Sequence, residues 1–136
     1  PTLLRRQRQM CIRDRAITEQ GGMVDKFIGD AIMAGFGIPI AHEDDEDRSV
    51  RAGINMIKRL WDWNLEREKK GQMAIDMGLG INTDMLVSGN IGSSKRMDYT
   101  MIGDGVNLAA RLESACKSYS AKILISDFTY QKLRGT

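Results

Sequence analysis

Residues 22–36, GMVDKFIGDAIMAGF, decide the fold: two apolar-rich runs, Gly22 to Ile28 and Ala31 to Phe36, flank Gly29-Asp30. A Gly-Asp pair supplies the positive φ angles of a tight reversal, so the stretch predicts a β-hairpin centred on Gly29 and Asp30. Pro39 closes the second run, and the acids Glu43, Asp44, Asp45, Glu46 and Asp47 lead into Val50, Ile54, Ile57, Leu60, Trp61 and Leu65 at helical spacing. Acids at the start, Arg67, Lys69 and Lys70 at the end and Gly71 as a stop complete a helix, with Trp61 expected to face the core and Trp63 half exposed or at an interface. Ala74 to Ile81 reads as a strand, Asn82-Thr83-Asp84 as the turn of a hairpin into a second strand, Met85 to Ile91, and Tyr99 to Ile102 as another. Val106 to Tyr119 has helical spacing, Lys122 to Ile125 is strand, and Ser126 caps a last helix reaching Leu133. The expected class is α+β, a mainly antiparallel sheet covered by helices on one face.

At 136 residues, with 42% hydrophobic and 28% charged side chains, the chain suits one globular domain. No apolar run approaches the roughly 20 residues that span a bilayer, and no secretory leader is visible, so a cytoplasmic setting is expected, with tethering of a longer parent left open. Two distant cysteines, Cys11 and Cys116, suit neither a disulfide framework nor a metal pair, and Cys116 reads as a small buried apolar residue.

Five arginines in residues 1–15 stand against Asp14, so this stretch carries +4 of a net +2 and residues 16–136 sum to −2. Overall basicity is therefore no argument for nucleic-acid binding. Residues 1–15 show no sustained period, and RQRQMCIRDR resembles translated sequencing-adapter read-through. The expected division is a non-native or disordered basic tail over 1–15 and a domain over 16–136.

Three clusters carry candidate chemistry. Asp30 at a hairpin tip, four residues after Lys26, suits a hard cation that takes carboxylate oxygens and leaves room for phosphate, although Asp is also an ordinary turn residue. The stretch Asp98 to Asn107 runs on to Arg111, and Asn107 and Arg111 share one helix face at i and i+4. An amide and a guanidinium there fit a sugar and a phosphate; an Arg111–Glu113 surface pair is the plainer reading. The acidic run is read as a dipole-favoured helix start rather than a cation site, and His42 as a surface residue without metal-type partners.

Taken together, VDKFIGDAIMAGFG, NIGSSKRMDYTMIGD and GDGVNLAARLE resemble the class III nucleotidyl cyclase catalytic domain, most closely its bacterial adenylyl cyclase branch, over about residues 19 to 134. The resemblance implies a ferredoxin-like α+β fold and cyclisation of ATP to 3′,5′-cyclic AMP and pyrophosphate, for second-messenger signalling. It implies two Mg2+ (or Mn2+) ions held by two aspartates, the second matched by Asp30. Lys26 and Thr100 match the adenine-binding positions, Asn107 the ribose-orienting asparagine and Arg111 the arginine at the α-phosphate. These roles are split across a dimer in the family, implying a homodimer, or a heterodimer with a complete cyclase domain, and no nucleic-acid partner.

The base assignment also has its own chemistry. Adenine offers an acceptor at N1 and a donor at N6, complementary to a lysine donor and a hydroxyl acceptor, whereas guanine reverses both. A match for the first metal aspartate is missing upstream of Glu19, and a family lysine that contacts the polyphosphate has no match before Thr136. The expectation is a domain incomplete at both ends and inactive alone. Asp84, in place of a common hairpin glycine, and Gly105, where the family often has Thr, are further departures. The alternatives are a catalytically silent cyclase-like module that binds nucleotide or a partner domain, and a nucleic-acid-binding or polymerase-palm fragment, which the charge of residues 16–136 disfavours.

Overall fold

The computed structural model describes residues 2–28, 31–38, 41–84, 87–91, 98–102 and 104–134. Helix α1 (Thr2–Glu19) leads into strands β1 (Met23–Ile28) and β2 (Ala31–Gly35), then the long helix α2 (Asp45–Lys69) and strand β3 (Leu79–Ile81). Strands β4 (Val87–Ile91) and β5 (Asp98–Ile102), helix α3 (Asp104–Ala115), strand β6 (Ile123–Ile125) and helix α4 (Asp127–Lys132) complete the order. This is an α+β arrangement, as expected.

Helix α1 runs unbroken across the boundary expected between residues 15 and 16. No Gly or Pro interrupts residues 2–19, and the arginines are good helix formers. Its C-terminal half packs inward, with Arg13, Ala16 and Ile17 buried. Glu19 pairs with Arg59 of α2, and Gln20 accepts from Arg51 at 3.0 Å. A Schellman end closes it: Gly21 takes φ +78°, its N–H donates to Thr18, and that of Gly22 donates to Ile17.

β1 and β2 form the expected antiparallel hairpin, from Met23 opposite Gly35 to Ile28 opposite Ala31, with a bulge between Val24 and Lys26. The Gly29-Asp30 turn lies outside the described residues. Further on, the expected pairing changes. The strand expected over 74–81 forms only at 79–81, and β3 is joined not to β4 in a hairpin but to β6 in parallel, Gly80 opposite Leu124. β4 instead pairs antiparallel with β5, Gly89 opposite Thr100. Residues 73–75 spend their backbone groups on α2 side chains: Asn64 bonds both the N–H and C=O of Ile75, and Arg67 donates to the Met73 carbonyl.

Helix α2 has the expected period but turns a different face inward. Its buried residues are Asp47, Ala52, Gly53, Met56 and Leu60, while Ile54 and Leu65 are exposed and Trp61 is 66% exposed. Gly53 faces the paired strands β3 and β6, where a β-carbon on it would make ordinary contacts with Leu79, Ile81 and Ile123 at 3.5–3.7 Å. Trp61 is one residue, about 100° of helix, past buried Leu60, so the indole falls outside the contact. Trp63 is half-buried beneath Arg67, whose guanidinium carbon is 5.4 Å from a ring centroid.

Helices α1 and α2 share one core: Ala16, Ile17 and Met56, packed against Val24, Ile32, Ala34, Phe36, Met77 and Leu79. The expected helices on one face describe this pair; α3 rests on the opposite side of β3. Ser126 caps α4 by accepting from the Thr129 N–H at 3.2 Å, as its sequence predicts. Among the described residues, no helix is long and apolar enough to cross a membrane.

Candidate active site

Three touching elements carry four of the five candidate residues. β1 bears Lys26 opposite Met33, β5 bears Thr100 opposite Gly89, and α3 bears Asn107 and Arg111. β1 lies against β5, and β5 against α3. The side chains of Lys26 and Thr100 lie outside the described part of the chain, as does Asp30 entirely.

α3 follows from local sequence. Asp104 places a carboxylate in its first turn, where the helix dipole favours negative charge. Asn107 and Arg111 sit one turn apart and both are exposed, while Gly105 and Cys116 at the two ends are buried. Among the described residues Arg111 has no ion-pair partner, so the plainer Arg111–Glu113 pairing is not what forms. An exposed guanidinium with an amide one turn before it can take up a phosphoryl oxygen and a hydroxyl together.

The inner face of α3 meets β3 through residues the sequence reading passed over. Gly80 of β3, with Gly78 and Asn82 just beyond its two ends, faces α3. A β-carbon on Gly80 would stand 2.1 Å from the Ala109 carbonyl oxygen, and one on Gly78 would stand 2.9 Å from Cys116 Cβ. Asn82 Nδ2 donates to the Gly105 carbonyl at 3.0 Å. The signal was present in MGLGIN over residues 77–82, where glycines alternate with large apolar residues.

The other candidates have structural occupations. Asp47 is buried and accepts from the Arg134 backbone N–H at 3.0 and 3.2 Å, and Asp44 pairs with Arg48. His42 is exposed; its backbone N–H donates to Asp45, and its ring Nδ1 lies 3.3 Å from the same carboxylate. Among the described residues, no three His, Cys, Asp or Glu side chains converge on a possible metal position. Cys116 is buried, its thiol 3.4 Å from the Leu79 carbonyl. A groove of about 290 Å³ between the C-terminal half of α2 and residues 74–76 lies on other elements than the four candidates.

The family model for the adenylate and guanylate cyclase catalytic domain matches residues 9–136. An adenylate cyclase of Anabaena cylindrica is 40% identical over 123 residues, 88% of this chain and 24% of that protein. The crystal structure of the guanylyl cyclase Cya2 superposes with TM-score 0.77 at 38% identity, over 91% of this chain and 62% of that one. That of the adenylyl cyclase CyaB from P. aeruginosa superposes with TM-score 0.79 at 34% identity, over 93% and 65%. The chain spans a quarter or less of the curated relatives first matched.

Proposed function

Because the chain belongs to the adenylate and guanylate cyclase catalytic domain family, we propose that it forms part of an ATP-cyclising site, making 3′,5′-cyclic AMP and pyrophosphate at an interface between two cyclase domains. The observation that carries this reading is the contact of β1 with β5 and of β5 with α3, which groups the elements bearing Lys26, Thr100, Asn107 and Arg111.

In this reading the base is selected first. Lys26 donates to adenine N1 and Thr100 accepts from the N6 amino group, whereas guanine would set its N1–H against the lysine, donor against donor. Asn107 orients the ribose so that its 3′ oxygen stands in line with the α-phosphorus, and positioning of this kind is worth several powers of ten in rate. The 3′ hydroxyl gives its proton to solvent and its oxygen bonds to the α-phosphorus as the bond to the bridging oxygen breaks and pyrophosphate leaves. Arg111, as an always-charged fork of donors, stabilises the charge that gathers on the α-phosphoryl oxygens. Asp30 is the candidate carboxylate for Mg2+, which when bound would neutralise charge on the attacking and leaving oxygens. Asn107 and Arg111 are exposed, which suits a site completed by a second domain that brings both metal carboxylates, this chain's Asp30 serving the reciprocal site. The reading of residues 1–15 as non-native also stands as a proposal.

The similarity to Cya2 makes GTP the competing substrate. The test is a cyclic-nucleotide assay on the chain alone and mixed with a complete cyclase domain whose own counterpart of Arg111 is replaced by alanine, so that only this chain can complete the site. Cyclic AMP from the mixture, lost on Arg111→Ala in this chain, supports the proposal. No product from either ATP or GTP overturns it in favour of a silent nucleotide-binding or pairing module.

A further inference from the structure

The seam between β3 and α3, we infer, is the device that positions Asn107 and Arg111. Gly78, Gly80 and Asn82 are its working residues, so three residues with no place in the proposed chemistry set the geometry of two that have one. This inference rests on the reading of Asn107 and Arg111 given above.

The contact is one of backbone on backbone. At Gly80 an added β-carbon would meet the Ala109 carbonyl oxygen at 2.1 Å, the Glu113 nitrogen at 2.4 Å and the Leu112 β-carbon at 2.9 Å. At Gly78 it would meet Cys116 Cβ at 2.9 Å and the Glu113 carbonyl at 3.3 Å. These obstacles are mostly helix backbone, which cannot rotate aside as a flexible side chain can. Only hydrogen fits at Gly80, and any larger group must push α3 away from the strand.

Polar contacts fix the helix along its length as well. At its first turn Asn82 Nδ2 donates to the Gly105 carbonyl, and just past its last turn the Cys116 thiol meets the Leu79 carbonyl at 3.4 Å. Among the described residues Asn82 Oδ1 is buried without a hydrogen-bond partner, which leaves the Gly105 bond as the polar contact of this amide. Ala109 and Glu113, on the seam, each lie two residues beyond the candidates: Ala109 after Asn107 and Glu113 after Arg111. Two residues is about 200° of helix, so the candidates stand on the far side of a rod whose near side is clamped. A displacement of the clamped side therefore carries both together.

The opposite side of the same strand supplies a matched control. Gly53 of α2 faces Leu79 and Ile81, where an added β-carbon makes only ordinary contacts at 3.5 Å or more. The same chemical change, glycine to alanine, is thus forbidden on one side of β3 and harmless on the other.

The experiment compares unaltered chain, Gly80→Ala, Asn82→Ala and Gly53→Ala, each mixed with the arginine-disabled complete domain described above. It measures kcat and KM for ATP, thermal melting, and the position of α3 against β3 in crystals. Gly80→Ala is expected to move α3 by about 1 Å or more and lower kcat about 100-fold with KM changed less than about threefold. Asn82→Ala is expected to lower kcat about tenfold, as a smaller displacement of the same kind, and Gly53→Ala to leave it unchanged. An unmoved α3 in Gly80→Ala, or a moved one with unaltered kcat, overturns the inference. Should Gly80→Ala fail to fold, Asn82→Ala, which adds no atoms, decides alone: loss of kcat without a matching fall in melting temperature supports positioning, and an unchanged kcat overturns it. Silence of the unaltered mixture with both nucleotides is the separate failure, that of the cyclase reading itself, and takes this inference with it.

Discussion

Asn64 brackets Ile75: its Oδ1 accepts the Ile75 N–H and its Nδ2 donates to the Ile75 carbonyl, both at 2.7 Å. A helix side chain thereby acts as the neighbouring strand for a segment that has none there. Asn64→Ala leaves both backbone groups without this partner in a part-buried setting and should destabilise the fold by about 2 kcal/mol. Asn64→Asp, which keeps the acceptor but sets a carboxylate oxygen against the Ile75 carbonyl, should cost at least as much. Urea unfolding reads both, and equal stability of all three proteins would show that water replaces the amide without loss.

Gly53 sits in the middle of α2 with room for a methyl group. Glycine in a helix interior is about 1 kcal/mol less favourable than alanine, so Gly53→Ala should raise stability by up to that amount. A melting midpoint a few degrees higher is the expected result. A lower one would mean that α2 lies closer to Leu79 and Ile81 than described.

Asp76 holds its carboxyl below its ordinary value of 3.8, chiefly because it accepts a hydrogen bond from Lys122, with burial opposing slightly. A lowered carboxyl pKa adds stability that is complete above the ordinary value and disappears as pH falls through the folded one. The pair is largely exposed, so solvent screening keeps the effect under about 1 kcal/mol. Asp76→Asn should be slightly less stable than the unaltered chain at about pH 7 and indistinguishable at about pH 2. Melting curves at the two values decide it, and a gap that widened on acidification would contradict the assignment.

The hairpin at 23–35, the period of α2 and the Ser126 cap were legible because each has a short-range cause: a turn dipeptide, a 3.6-residue spacing, a hydroxyl at a helix start. The inward face of α2 was not. Large apolar residues suggested Ile54 and Trp61, whereas the inward face beside Met56 and Leu60 is made by Ala52 and Gly53, which give little apolar signal in the sequence. The parallel pairing of β3 with β6 joins residues more than forty apart, and no local signal in Leu79 to Ile81 names that partner. Helix α1 was missed because its arginine-rich stretch lacks an apolar stripe over most of its length, so the helix shows only in the absence of breakers and the packing of Ala16 and Ile17. Of the candidate site, Asn107 and Arg111 fall one turn apart on an exposed face as their spacing requires. Gly78 and Gly80 escaped because their importance lies in what they leave room for, and Asn82, read as a turn residue, because its partner Gly105 is remote in sequence.

The central claim, that Lys26 and Thr100 select adenine in a site that Asn107 and Arg111 complete, is tested most directly by base preference. Chain mixed with the arginine-disabled complete domain would be supplied with ATP or GTP in parallel, before and after Lys26→Ala, and both cyclic products quantified. The account predicts ATP turned over at least about 100-fold more efficiently than GTP, with that preference and most of the activity lost on Lys26→Ala. Equal or better use of GTP, or a preference indifferent to Lys26, would contradict it.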